Sequence, residues 1–142
     1  MGSFLTTTNR IISYLQGHAE VQEVTFGDGG EVDISTHTSF PLVHVIPINS
    51  LFGEGITTHN YQILFLDTFK ESIEDKVEVL DLMNTIARDF VSSARQGILF
   101  NEQITVTGSS TADIIYNDRL NKLYGYSVTI AILTPSNLEK CV

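Results

Sequence analysis

The sequence predicts an α+β domain in which two helices pack on one face of a mostly antiparallel sheet. Two segments have apolar residues at the spacing of amphipathic helices, one near the start and one in the middle of the chain. Several other segments are short, rich in β-branched residues and joined by brief turns, which favours antiparallel strands. The 142 residues suit a single domain over residues 1–142, with a loose polar tail at about 134–142.

The first helix is predicted over residues 6–17, where Ile11, Ile12 and Leu15 form an apolar stripe. Gly17 is a suitable end for this helix, because glycine adopts the backbone conformation that terminates helices at little cost.

The second helix is predicted over residues 75–96, with acidic residues crowding its start and arginines near its end. This charge order complements the helix dipole. We expect it to pack on the sheet through Leu80, Met83, Ala87 and Phe90. The full apolar stripe comprises Val77, Leu80, Met83, Ile86, Ala87, Phe90, Val91 and Ala94.

Six strands complete the predicted order α–β–β–β–α–β–β–β. The last strand alternates large residues with small ones from Tyr124 to Ile132, which is the period of a sheet with one large-residue face. Two glycine-rich segments, 27–33 and 49–56, are predicted as a turn and a loop. The strand predictions are residues 21–26, 40–48, 57–69, 102–107, 111–116 and 123–133.

Composition argues against tight nucleic-acid binding and against a membrane partner. The net charge is −9, from 17 acidic and 8 basic residues, and the basic residues are scattered singly. Wrapping nucleic acid needs clustered cations, whereas an acidic surface repels DNA, which matters if DNA must slide past it. The chain start lacks a signal-peptide pattern, and no stretch approaches the length of a membrane-spanning helix.

Four histidines invite a metal hypothesis, but their spacing does not support it. His18, His37, His44 and His59 share no HxH or HxxxH spacing, and Cys141 is the only cysteine. His44 and His59 lie on neighbouring predicted strands, which leaves open a meeting across the sheet. Structural histidines are the favoured interpretation, and we predict no catalytic, cofactor-binding or metal residue.

Other chemical motifs are missing or imperfect. Asp28, Glu31 and Asp33 lie in a glycine-rich turn, but their spacing does not match an EF-hand calcium loop, and a solvated turn is favoured. No phosphate-binding GxxxxGK[ST] loop and no GxSxG nucleophile elbow occurs. The sequence therefore predicts a protein that is not an enzyme.

Several residues are candidates for an interface. Leu51 and Phe52 form an apolar pair inside a glycine-flanked loop, which either meets a partner or folds back on its own core. Tyr124 and Tyr126 suit an interface and the edge of a core equally well. The interface candidates are Leu51, Phe52, Glu54, Asp28, Glu31, Tyr124, Tyr126 and Arg119.

Taken together, four segments resemble a group of small neck and tail proteins of tailed phages. The resemblance is to the tail-completion or tail-terminator class, in phages related to those infecting Bacteroidetes, and covers most of residues 40–141. Related sequences often carry Gly-Trp where this chain has Gly125-Tyr126. The segments are FPLVHVIP (40–47), a long strand ending at Asp67, KVEVLDLMNTIARDF (76–90) and YNDRLNKLYGYSVTIAI (116–132).

The resemblance implies a tail-terminator-like fold and a structural subunit of a homo-oligomeric ring that joins head to tail. Its partners would be copies of itself and other neck or tail proteins, such as portal-proximal ring or tube proteins. DNA would pass through the channel without specific binding. The chain would be made in the host cytoplasm and would end up in the virion. The alternatives are a small soluble ligand-binding domain or enzyme with a pocket between sheet and helices, and an adaptor that binds a partner protein.

Overall fold

The computed structural model describes residues 4–27, 41–68, 73–95, 105–106, 111–117 and 123–135. It confirms the predicted α+β class and the predicted order of elements. The elements are α1 (Phe4–Gly17), β1 (Glu23–Phe26), β2 (Leu42–Phe52), β3 (Ile56–Thr68), α2 (Ile73–Arg95), β4 (Thr105–Val106), β5 (Thr111–Asn117) and β6 (Leu123–Pro135).

The strands form one sheet in the order β1-β2-β3-β6-β4, with β5 also paired to β6. β4 and β5 pair with different stretches of β6. Every pair is antiparallel except β1 with β2, which is parallel. A parallel pair needs a crossover of a dozen or more residues, and the chain between Phe26 and Leu42 has that length. The expectation of antiparallel pairing through short loops therefore fails at this one connection.

Both helices pack on the same face of the sheet. The centre of β3 faces them, and Tyr61, Ile63 and Phe65 are fully buried there. The Phe65 ring lies against Phe90 of α2 with centroids 6.3 Å apart. Other buried members of this core are Ile11, Leu15, Val43, Val45, Met83, Ile86, Ala87, Val128, Ile130 and Ile132.

The buried face of α2 is rotated slightly from the predicted stripe. Met83, Ala87 and Phe90 are buried as expected, whereas Leu80 is only half-buried. Val77 is 61 % exposed, so its place in the stripe was wrong, and Val79 is buried instead. The reason is helical geometry, because residue 79 lies one turn before Met83 on the same face.

Gly125 allows β6 to approach β3 closely. A Cβ atom at this position would lie 1.7 Å from the carbonyl oxygen of Phe65, which no side chain can tolerate. The glycine that precedes Tyr126 therefore has a packing role in the middle of the sheet.

Among the described residues, no helix combines the length and apolar character that crossing a lipid bilayer requires.

Candidate functional site

A long hairpin formed by β2 and β3 replaces the loop predicted over residues 49–56. That prediction was wrong, because β2 continues to Phe52 and β3 begins at Ile56. The backbone N–H of Gly53 donates to the carbonyl oxygen of Ile56 at 2.8 Å and closes the turn. Gly55 has a φ of 78°, and a three-residue connection with glycine in this left-handed conformation is common in hairpins.

A β-bulge separates the inner half of the hairpin from its outer half. The register shifts between Pro47 and Asn49, which leaves Ile48 without a cross-strand partner. Proline cannot donate a ladder hydrogen bond, so Pro47 suits an irregular position of this kind. Beyond the bulge the strands remain joined, since the side-chain amide of Asn60 donates to Asn49 Oδ1 at 2.7 Å. Bulges bend and twist a strand, and this one sets the direction of the outer half.

The outer half carries large apolar side chains in solvent, which we call the apolar tip. Ile48 is 49 % exposed, Leu51 59 %, Phe52 86 % and Ile56 47 %. Leu51 and Phe52 are neighbours in the chain, so the strand period places them on opposite faces of the hairpin. Single exposed apolar residues are ordinary, whereas four on one hairpin are a candidate interaction surface.

The part of the hairpin just beyond the bulge is held firmly. His59 is buried, and its Nδ1 lies 2.9 Å from the Ser50 hydroxyl across the hairpin. Its Nε2 has no hydrogen-bond partner among the described residues, and burial lowers the pKa of the imidazole. The Phe4 ring of α1 contacts the His59 ring at 5.7 Å in an edge geometry. These contacts hold this part of the hairpin against α1.

β6 supports the other side of the hairpin. It pairs with β3 as far as Pro135 and Ile56, and the buried Thr134 hydroxyl donates to the Thr57 carbonyl oxygen at 3.3 Å. The tail predicted as loose from residue 134 therefore begins with two residues of ordered strand. β6 is longer than predicted because it stays paired with β3 as far as Pro135, beyond the core.

The other interface candidates lie in different settings. Glu54 is exposed in the hairpin turn, close to the apolar tip. Tyr126 is half-buried against the core and pairs with Phe65, which favours the core interpretation of this residue. Tyr124 lies opposite Asp67 in the β3–β6 register. Asp28, Glu31 and Arg119 lie outside the described residues.

The two central histidines do not meet. His44 pairs with Leu64 and His59 with Ser50, and residues 59 and 64 lie on opposite faces of β3. His44 instead places its Nδ1 2.6 Å from the Thr25 hydroxyl. The possibility of a meeting across the sheet was wrong, because it ignored which face each strand position occupies.

The third described histidine, His18, lies with its Nε2 3.2 Å from Asp89 Oδ2 near the surface. In the part of the chain that the structure describes, no three His, Cys, Asp or Glu residues lie close enough to hold a metal ion. His37 lies outside that part.

A groove lies between α2 and β5, and we call it the α2–β5 groove. A pocket between sheet and helices was one alternative from the sequence, but the residues that line this groove were not predicted. It has a volume of about 250 Å³. It forms because β5 pairs with the outer edge of β6 beside the helix, a tertiary arrangement that no local pattern signals. Its lining includes the apolar residues Ala87, Val91, Ala112 and Val128, with Arg88 and Ser92 on α2 among its polar residues.

Comparison with known proteins does not assign the chain to a family. No protein-family model matches it, and no curated protein is significantly similar to it. The functional interpretation therefore depends on the hairpin, on the groove and on the resemblance of individual sequence segments.

Proposed function

We propose that the chain is a structural subunit of a ring in the neck or tail of a tailed phage, of the tail-completion or tail-terminator-like class. The observation that carries this proposal is the apolar tip on a firmly held hairpin. Phe52 alone exposes 86 % of its surface. Burying such surface yields roughly 25 cal/mol per Å², so a partner that covers the tip gains stability from it.

A ring accounts for the position of this surface. The tip surrounds the turn between β2 and β3, at one end of these two strands. An element that reaches a different surface of the next copy makes a heterologous contact, and repetition of such a contact closes a ring when the rotation allows. Other neck or tail proteins, such as portal-proximal ring or tube proteins, would stack above and below it.

The charge of the chain agrees with a DNA channel. The net charge is −9, and the exposed side of α2 carries Glu78, Asp81 and Asp89. An acidic lumen does not bind phosphates, so DNA can pass through it without being held. The protein would be made in the host cytoplasm and incorporated into the virion.

Within the described part of the chain, the α2–β5 groove is a feature that a ligand-binding domain or an enzyme would use. Its volume of about 250 Å³ lies below the roughly 300–1,000 Å³ of typical small-molecule sites. The groove therefore gives less support to that alternative than the apolar tip gives to assembly.

Complementation of a phage that lacks this gene tests the proposal. We expect the deletion to yield heads and tails that do not join, or tails of abnormal length. The wild-type gene and a Val77→Ser variant restore infectious particles, because Val77 is exposed on α2 away from the tip. A Phe52→Ser variant does not. Normal particles from the deletion strain, or purified virions without the chain by mass spectrometry, contradict the proposal.

A further inference from the structure

We infer that Phe52 of one copy inserts into the α2–β5 groove of the next copy, so that hairpin and groove form the two halves of one head-to-tail contact. This inference rests on the proposed function as a ring subunit and names the surface that each subunit offers to its neighbour.

The groove has the size and the lining that an aromatic ring requires. An apolar cavity of about 150 Å³ can hold a benzene ring, and this groove has about 250 Å³. Ala87, Val91, Ala112 and Val128 provide an apolar lining. The apolar surface continues along β5 to Ile114, which is 45 % exposed on the same face as Ala112. Phe52 is the most exposed large apolar side chain of the described residues.

Phe52 cannot reach the groove of its own molecule. Phe52 pairs with Thr57, whereas the groove residue Val128 pairs with Ile63, six residues further along β3. At about 3.3 Å per residue, this separation is roughly 20 Å along the strand. β3 and β6 also lie between β2 and β5, which adds roughly 14 Å across the sheet at about 4.8 Å per strand. The occupant must therefore come from another molecule.

Charges next to the two surfaces are complementary. Glu54 follows Phe52 by two residues and is exposed in the hairpin turn. Arg88 lines the groove, is exposed, and forms no ion pair with any residue in the described ranges. In a chain with a net charge of −9, two copies repel each other on average. A contact that brings Glu54 to Arg88 offsets this repulsion locally and orients the approach.

The contact has a direction, because the inserted Phe52 side chain and the receiving groove belong to different surfaces of the subunit. Each copy offers one hairpin and one groove, so each copy can bind two neighbours and the chain of contacts can close. A two-fold dimer in which two tips meet each other would use neither groove and would stop at two copies.

Disulfide trapping in assembled particles tests this pairing. In a Cys141→Ser background, two variants that both keep Phe52 are co-expressed at equal levels, one with Glu54→Cys and one with Ser92→Cys. Ser92 is exposed, lines the groove and follows Arg88 by one helical turn, which is where the proposed contact places residue 54. We expect mild oxidation to give the mixed Glu54→Cys/Ser92→Cys dimer several-fold above either homodimer. Val77→Cys replaces Ser92→Cys in the control, because Val77 is exposed on the same helix outside the groove.

Charge reversal provides a second measurement that does not depend on disulfide geometry. Glu54→Arg and Arg88→Glu are each expected to reduce incorporation of the chain into particles several-fold, and the combined variant to restore it. Glu54→Cys homodimers as the main product, or mixed dimers no more abundant than in the Val77→Cys control, overturn the groove assignment and leave the ring intact if wild-type particles contain the chain in a ring. Two single reversals without effect also overturn it. Wild-type particles without the chain overturn the ring and the groove together.

Discussion

The hydroxyl groups of Thr8 and Tyr61 lie 2.8 Å apart, and both side chains are buried between α1 and the centre of the sheet. The Phe4 ring, one helical turn before Thr8 in α1, stacks on the Tyr61 ring with centroids 6.0 Å apart. Burial raises the pKa of the Tyr61 hydroxyl, while its hydrogen bond to Thr8 acts in the opposite direction. The first half of α1 is thereby fixed next to the base of the hairpin.

Removing the Tyr61 hydroxyl tests this connection. Tyr61→Phe leaves the buried Thr8 hydroxyl without its partner, which should cost about 1–3 kcal/mol in the free energy of unfolding. Combining it with Thr8→Val should cost less than the sum of the two single changes, because the double variant has no unpaired hydroxyl there. Urea unfolding measures all three. Tyr14→Phe is the control, since its bond to Ser93 is only partly buried. Strict additivity would show that the two hydroxyls are not coupled.

Gly125 and Gly17 form a matched pair of glycine substitutions. At Gly125 a Cβ meets the Phe65 carbonyl, so Gly125→Ala should reach or exceed the upper end of the roughly 1–3 kcal/mol cost of overpacking. At Gly17 an added Cβ meets no described atom within 4 Å apart from its chain neighbours and its own helix backbone, and Gly17→Ala should be neutral or slightly stabilising. Thermal unfolding of both variants measures the difference. Equal melting temperatures would contradict the close approach of β6 to β3.

Phe90 should carry much of the contact between α2 and the sheet. It is fully buried against Phe65 and Tyr14, so Phe90→Ala should cost about 3–5 kcal/mol. Val77→Ala on the exposed side of the same helix should change the stability by less than about 0.5 kcal/mol. Urea unfolding measures both variants. A Phe90→Ala protein as stable as the wild type would refute this packing of α2.

His59 should make the protein less stable in mild acid. Burial lowers its pKa below the ordinary value of about 6.5, so the unfolded chain takes up a proton at a higher pH than the folded chain. The contribution of His59 to stability is therefore fully present above about pH 6.5. It is lost progressively as the pH falls towards the pKa of His59 in the folded state. Urea midpoints from about pH 8 to about pH 5 measure this loss.

The histidine variants separate this effect from general acid destabilisation. His59→Gln should reduce the loss of stability between about pH 8 and about pH 5. His18→Gln, next to Asp89 near the surface, should leave the loss of stability caused by His59 unchanged. Parallel curves for wild type and His59→Gln would assign the pH dependence to other groups.

The sequence was sufficient to predict the elements with strong periodicity. The stripe of α2 identified Met83, Ala87 and Phe90 as core residues, because a helix repeats its buried face every three to four residues. The alternation in β6 likewise predicted a face of large residues, and Val128, Ile130 and Ile132 of that face are buried. At the start of α2, Val77 was predicted for the buried face, but packing against the sheet buries Val79 instead.

The hairpin and the groove were harder to predict for physical reasons. Gly53-Glu54-Gly55 was interpreted as part of a broad loop, although it is a tight turn between two strands. The exposed Leu51 and Phe52 lack the apolar-polar alternation that reveals a strand, because both faces of the hairpin are exposed at these two positions. The groove depends on the pairing of β5 with β6, and the parallel β1–β2 pair depends on a long connection. Neither leaves a local pattern.

Cryo-electron microscopy of the assembled particle tests the ring most directly. We expect density in which this chain occupies a closed, cyclically symmetric ring around the DNA channel. Phe52 of each copy should lie between α2 and β5 of the next. Particles in which the chain forms no symmetric ring would contradict the proposed function. A ring in which every Phe52 faces solvent would contradict the assignment of the hairpin as its interface.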